Sequence, residues 1–185
     1  MEGGAIAAEI KEEIKREIDA GGMRPKLAAV LVGNDPASAV YVRNKQRACE
    51  EVGIESEVVK LESAVSEEEL LRIIRELNKD KGVNGIIVQL PLPKQMDEKR
   101  VIEAIDPIKD VDGFHPMNMG FLLAGEPRFV PSTPLGIQVL LSRYGYETEG
   151  KHVVIVGRSN IVGKPLAALM LCNDANATVT VCHSH

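Results

Sequence analysis

Tyr41 and Lys45 stand four residues apart in a stretch with helical periodicity, so they project from one face, where a phenol and an ammonium could address the same substrate atom. Two solvated neighbours on a surface helix have the same spacing. Gln89 is a polar side chain in the apolar run Ile86-Ile87-Val88-Gln89-Leu90, near its carboxyl end, where open α/β sheets hold ligands. Burying an amide without partners costs about 1–3 kcal/mol, so either a structural hydrogen bond or a ligand must meet it. Lys109-Asp110-Val111-Asp112-Gly113-Phe114-His115-Pro116 gathers two carboxylates, an imidazole and a glycine in one loop. Asp110 and Asp112 could orient a heterocycle by accepting paired hydrogen bonds from its amino and ring N–H groups. The alternatives are Asx turns for the acids and a structural role for His115.

Gly157-Arg158-Ser159-Asn160-Ile161-Val162-Gly163-Lys164-Pro165 follows a β-branched run and opens a helical pattern, the setting of a dinucleotide-binding turn. Gly157 and Gly163 would let the backbone approach a pyrophosphate, and the helix start would offer it unpaired N–H groups. Ser159 stands where the second glycine of that fingerprint would be, so an ordinary strand-to-helix turn is the other reading. The next expected strand ends Cys182-His183-Ser184-His185, without the acid that holds ribose hydroxyls in NAD-selective sites. Arg158 and Ser184 could instead meet a ribose 2′-phosphate, which favours NADP over NAD. A solvated surface cation is the alternative for Arg158. Cys49, Cys172 and Cys182 are an odd set without a CxxC pair, as expected of reduced thiols. Cys182, His183 and His185 lack a second ligand pair at zinc-like spacing, so no metal is expected.

Positioning these groups requires alternating strands and helices. Ile6, Ile10, Ile14 and Ile18 recur every four residues among charges, which predicts an amphipathic helix ending at Gly21-Gly22. The apolar run 27–32 has the length of a strand buried on both faces of a parallel sheet. Asn34-Asp35-Pro36 turns into a helix over 37–52, closed by Gly53. A strand near 54–61, a helix opened by a Ser66/Glu69 capping box and a buried strand over 85–90 follow. Pro91 and Pro93 end that strand, Asp97 caps the next helix, Asp106-Pro107 breaks it, and 109–134 reads as loop-rich. Thr133-Pro134 reads as an N-cap followed by proline at the first position of a helix running to Tyr144-Gly145. A strand over 152–156, the glycine turn, a helix from about 164 and a strand over 178–182 complete the pattern. The fold class is therefore α/β: a parallel-sheet domain over 1–120, then a Rossmann-like domain over 121–185.

With 44% hydrophobic and 26% charged residues, the composition excludes a disordered or collagen-like chain. The net charge of −5 is dispersed, and no basic stripe points to nucleic acid. Charges interrupt the first helix throughout, so it is no signal peptide, and no apolar run of about eighteen residues is available to span a membrane. A cytoplasmic location is expected.

Four segments occur in the order and at about the separations of one family: Tyr41-Val42-Arg43-Asn44-Lys45, Gly85-Ile86-Ile87-Val88-Gln89-Leu90-Pro91-Leu92-Pro93, the Lys109–Pro116 loop and the turn from Gly157 to Gly163. On these segments the chain resembles the bifunctional methylenetetrahydrofolate dehydrogenase/methenyltetrahydrofolate cyclohydrolase family over residues 3–185. The resemblance implies NADP-dependent oxidation of methylenetetrahydrofolate to the methenyl form and hydrolysis of that cation to formyltetrahydrofolate, two steps of one-carbon metabolism. It implies a folate cleft lined by Tyr41 and Lys45, with Gln89 supporting the lysine, Asp112 holding the pteridine and Ser38 as a secondary contact. On the cofactor side it implies NADP held at Gly157, Arg158, Ser159 and Gly163, with Arg158 and Ser184 on its phosphate. A lysine ammonium ordinarily titrates near 10.4, so Lys45 as a proton shuttle requires burial or a cationic substrate. A homodimer is likewise implied. Single-activity relatives, or a folate-binding module without catalysis, are the rival readings. Ser132 departs from the cysteine that the family often has there. Family members also continue well past residue 185, so the second domain is expected to be incomplete and weakly ordered beyond about residue 150, its core being too small to offset ordering.

Overall fold

The apolar run Lys26–Val32 forms β1 in the computed structural model, which describes residues 1–185. β1 pairs in parallel with β2 (Glu55–Leu61) on one edge and β3 (Gly85–Val88) on the other, giving the order β2-β1-β3. Leu27 lies opposite Ser56 on one side and Gly85 on the other. Ala28, Val30 and Val32 pack with Leu70, Leu71 and Ile74 of α3 (Glu67–Lys79) and with Val101 of α4 (Glu98–Glu103). Ala29 and Leu31 face the other way, toward Val42 of α2 (Pro36–Val52). Both faces of the sheet are thus covered, and this is why β1 reads as an unbroken apolar run rather than an alternation. β2, at the edge, alternates exposed and half-buried residues for most of its length. These elements belong to one compact unit, Ala7–Lys109.

Local chemistry sets the helix ends. Asp35 caps α2 by accepting from the Ser38 N–H at 2.7 Å, Pro36 takes the first turn, and Gly53 closes the helix at φ +83°. Ser66 Oγ caps α3 on the Glu69 N–H at 3.2 Å. The return arm of the expected capping box is not made, because the Glu69 carboxylate pairs with Arg72 at 2.7 and 2.8 Å. Asp97 caps α4 through the Lys99 N–H, as its sequence position suggests. β3 stops at Val88 rather than Leu90, although the Gln89 N–H still bonds Val30 O at 2.9 Å. In α1 (Gly3–Gly21) the isoleucine stripe is buried at Ile18 only.

The second compact unit joins Met1–Ile6 to Asp110–His185. In it the Tyr144 hydroxyl accepts from the Glu2 N–H at 2.6 Å, fastening the first residues of the chain. β4 (His152–Val156) and β5 (Thr178–Cys182) form a parallel pair on which α7 (Gly163–Leu171) packs. Ile155, Leu166, Met170, Ala175 and Ala177 make its core. Two expectations are corrected here. The stretch 109–134 contains a helix, α5 (Pro116–Leu123), started by His115, whose Nδ1 accepts from the Met117 N–H at 3.1 Å. α6 spans Ser132–Arg143 with Pro131 at the cap and no side-chain cap bond, so Thr133 is not the N-cap. Pro134 lies within the first turn, where the missing N–H would have had no helical partner in any case.

Hydrogen bonding from the Ser38 N–H holds the Asp35 carboxyl below its ordinary range. A depressed folded-state value contributes stability above the unfolded-state pKa, and that contribution is lost as pH falls through the folded value. Asp35→Asn, which keeps a capping oxygen but cannot titrate, should therefore unfold with a shallower pH dependence than wild type below about pH 4. Thermal melts across that range check it, and parallel curves would contradict the capping role.

Candidate functional site

In the unit Ala7–Lys109 the candidate residues sit on α2 and at the carboxyl end of β3. Tyr41 is 61% exposed and its hydroxyl bonds to nothing within the chain. Lys45, one turn further along, is half-buried, and its charge opposes the rise in the Cys49 thiol pKa that burial and Glu50 cause. Ser38 is buried at the start of α2, its N–H spent on Asp35. Gln89 is the most constrained of the set. Its Nε2 donates to Leu90 O at 2.8 Å, which leaves Oε1 buried without a donor. Half of the amide has the structural hydrogen bond that was one of its two readings, and the other half is an acceptor awaiting a partner, a costly state for a buried group.

The Lys109–Pro116 loop divides its polar residues. Asp110 is buried, and its Oδ2 accepts from the His115 N–H and from Asn118 Nδ2, each at 2.8 Å. It therefore holds the entry to α5, a structural role in place of a heterocycle contact. His115 is likewise a structural cap. Asp112 is half-buried between them. Gly113 closes the turn at φ +70°, and a Cβ there would meet Phe129 O at 3.2 Å and Pro131 Cδ at 3.1 Å. Asn118, fully buried, was not among the residues singled out by pattern, because a lone asparagine in an apolar helix carries no periodic signal.

At the turn after β4, Gly157 stands at φ +131°, and a Cβ on Gly163 would lie 2.2 Å from Gly157 O. Backbone meets backbone there, so residue 163 must be glycine. Ser159 organises the turn: its Oγ accepts from the Val162 and Gly163 N–H groups at 3.1 and 3.3 Å, and its carbonyl accepts from the Lys164 N–H at 3.0 Å. The expected unpaired amides at the start of α7 are therefore already bonded, and Pro165 has no N–H to offer. Arg158 is exposed with no hydrogen bond or ion pair. Val156 pairs with Cys182, and the Gly157 N–H bonds Cys182 O at 2.8 Å, so Arg158 and Ser184 follow the carboxyl ends of neighbouring parallel strands. No acid lies between Cys182 and His185. This donor set, a guanidinium and a hydroxyl without a carboxylate, fits the phosphorylated ribose of NADP.

A sequence model described as the catalytic domain of tetrahydrofolate dehydrogenase/cyclohydrolase matches residues 1–112, and one for the NAD(P)-binding domain of the same enzymes matches residues 131–185. The chain belongs to the tetrahydrofolate dehydrogenase/cyclohydrolase family. It is 57% identical to the bifunctional protein FolD of Moorella thermoacetica over 187 aligned residues, covering 100% of this chain and 66% of that protein. Among solved structures it is similar to the bifunctional FolD enzyme of Campylobacter jejuni, with a TM-score of 0.92 and 48% identity over 98% of this chain and 65% of the other. The FolD of Trypanosoma brucei, solved with NADP and an inhibitor, gives a TM-score of 0.93 at 36% identity over 99% and 63%. The chain thus spans about two thirds of the length of these relatives.

Gly163→Ala forces a methyl group into the Gly157 carbonyl and should cost about 1–3 kcal/mol or more. Urea denaturation checks this, and unchanged stability would contradict the closeness of the turn.

Proposed function

We propose that this chain carries the folate-side catalytic residues and the first part of the cofactor site of a bifunctional enzyme, which oxidises methylenetetrahydrofolate with NADP and then hydrolyses the methenyl product to formyltetrahydrofolate. The observation that carries this reading is the Gln89 amide: one side is tied to Leu90, and the other is a buried acceptor with no donor in the chain. A protonated lysine or a substrate N–H is what such an oxygen demands. Tyr41 and Lys45 supply a phenol and an ammonium on one helix of the same unit. The match to the catalytic-domain model and the likeness to FolD proteins support the same substrates.

For hydrolysis, Lys45 takes a proton from the attacking water and returns one to the departing nitrogen, general acid-base work that contributes about 10²–10⁴-fold. Gln89 Oε1 accepts from the lysine and aims it. Tyr41, with its hydroxyl uncommitted, aligns the substrate, Asp112 accepts from the pteridine donors, and Ser38 is a secondary contact. When bound, NADP supplies the hydride acceptor for the oxidation. Gly157 and Gly163 shape the turn, Ser159 holds it, and Arg158 with Ser184 pairs with the 2′-phosphate. The T. brucei relative solved with NADP supports that cofactor. No helix is long and apolar enough to cross a membrane, and a cytoplasmic homodimer completes the proposal.

Lys45→Met should lower cyclohydrolase turnover by about 10²-fold or more while leaving folate and NADP binding largely intact. The decay of methenyl absorbance measures it, and wild-type decay would remove Lys45 from the mechanism. Arg158→Ala should raise the KM for NADP by about 10- to 100-fold, and that for NAD far less, because only NADP carries the phosphate that a guanidinium clamps. Equal effects on both cofactors would defeat the selectivity argument.

A further inference from the structure

Lys164 is a cation beside the dinucleotide turn that the proposed mechanism does not use. It is exposed in the first turn of α7, and its Nζ donates to Asn160 Oδ1 at 2.6 Å. The ammonium is therefore drawn back over the turn between β4 and α7. Its partner there is a neutral amide, so the charge is located but not neutralised. Arg158 leaves the same turn close by: a Cβ on Gly163, the chain neighbour of Lys164, would lie 2.9 Å from Arg158 Cα. Neither cation has an ion pair. No acid occurs in the sequence between Glu149 and Asp174, or from Ala175 to His185. Two positive charges set on one short turn repel each other, and a bound anion relieves that repulsion.

NADP is anionic in two places, the 2′-phosphate and the pyrophosphate, and Arg158 with Ser184 accounts for the first only. In dinucleotide-binding turns the pyrophosphate lies at the start of the helix, where amide N–H groups receive it. Here the amides of Val162, Gly163 and Lys164 are bonded to Ser159, and Pro165 has none. We propose that Lys164, held over the turn by Asn160, receives the cofactor pyrophosphate and takes the part those amides have elsewhere. This rests on the reading of the turn as the NADP site. The two cations then divide the cofactor between them. Lys164 meets the charge that NADP and NAD share, and Arg158 meets the phosphate that only NADP carries. The bond to Asn160 contributes because a free lysine samples many rotamers, and holding one in advance lowers the ordering cost of binding.

The test is titration calorimetry with NADP, NAD and adenosine 2′-monophosphate, on wild type, Lys164→Met, Asn160→Ala and Arg158→Ala. The third ligand has the 2′-phosphate but no pyrophosphate. Lys164→Met should weaken NADP and NAD by the same factor, about tenfold, as loss of a charge-assisted hydrogen bond does, and leave the monophosphate unchanged. Asn160→Ala keeps the ammonium but frees it, and should weaken both dinucleotides by about threefold. Arg158→Ala should show the other pattern, weakening NADP and the monophosphate while sparing NAD. If Lys164→Met weakens only NADP and the monophosphate, Lys164 belongs to the 2′-phosphate. If it weakens all three alike, the turn has loosened, and if it weakens none, Lys164 is a solvated surface cation. Each of these results overturns the proposal. Should wild type bind neither dinucleotide, the reading of the turn as the NADP site fails, and the proposal with it. Lys164→Gln carries the same comparison if the methionine variant does not fold. Failure of both to fold would assign Lys164 to stability alone and overturn the proposal.

Discussion

Parallel pairing of β1 with both β2 and β3 is the constraint from which the rest of the first unit follows. Bonded on both edges and covered on both faces, β1 is apolar from Leu27 to Val32, and it has no surface of its own for chemistry. Parallel strands also end at the same edge, so everything polar must come from the segments that leave there. Asp35 and Ser38 follow β1, and Gln89 follows β3, its amide still bonded to Val30 O. β4 and β5 repeat the arrangement in the second unit, where Gly157 bonds Cys182 O and Arg158 and Ser184 come just beyond.

At those edges the motif residues split into those that hold and those that are presented. Asp110 and Gly113 fix the Lys109–Pro116 loop. Gly157, Ser159 and Gly163 fix the turn, and Arg158 is left unpaired. Gln89 makes the same division within one side chain. A chemically busy segment therefore contains fewer groups open to a ligand than its composition suggests, because polar backbone in a tight turn must be satisfied before anything else.

This division explains what could be read in advance. Strands β1, β4 and β5 and the caps Ser66 and Asp97 were legible because burial on two faces and N-cap chemistry are local signals, whereas Asp35 was read as a turn residue only. α5 was not, since it is short, apolar and opened by His115, an uncommon cap. The beginning of α6 was misread because Thr133-Pro134 is a good cap signal that Pro131 pre-empts two residues earlier. Asp110 and Asp112 look alike in sequence. The His115 N–H and the buried Asn118 amide, which both bond Asp110, are tertiary partners that the sequence pattern does not mark.

The satisfied amides of α7 bear on how this family member could discriminate an anion. With the Val162, Gly163 and Lys164 N–H groups bonded to Ser159, the backbone at the helix start has little left with which to attract negative charge. Partial charges from the helix dipole persist, but they act on any phosphate alike and so cannot tell NADP from NAD. A full positive charge on an exposed side chain is different, because it can act at the position of one particular phosphate. In this turn that group is Arg158, with the Ser184 hydroxyl beyond the adjacent strand and no acid between Cys182 and His185. On the proposed reading, selectivity at this edge rests on one side chain, and the turn that carries it is held by Ser159 and by the close approach of Gly163 to Gly157.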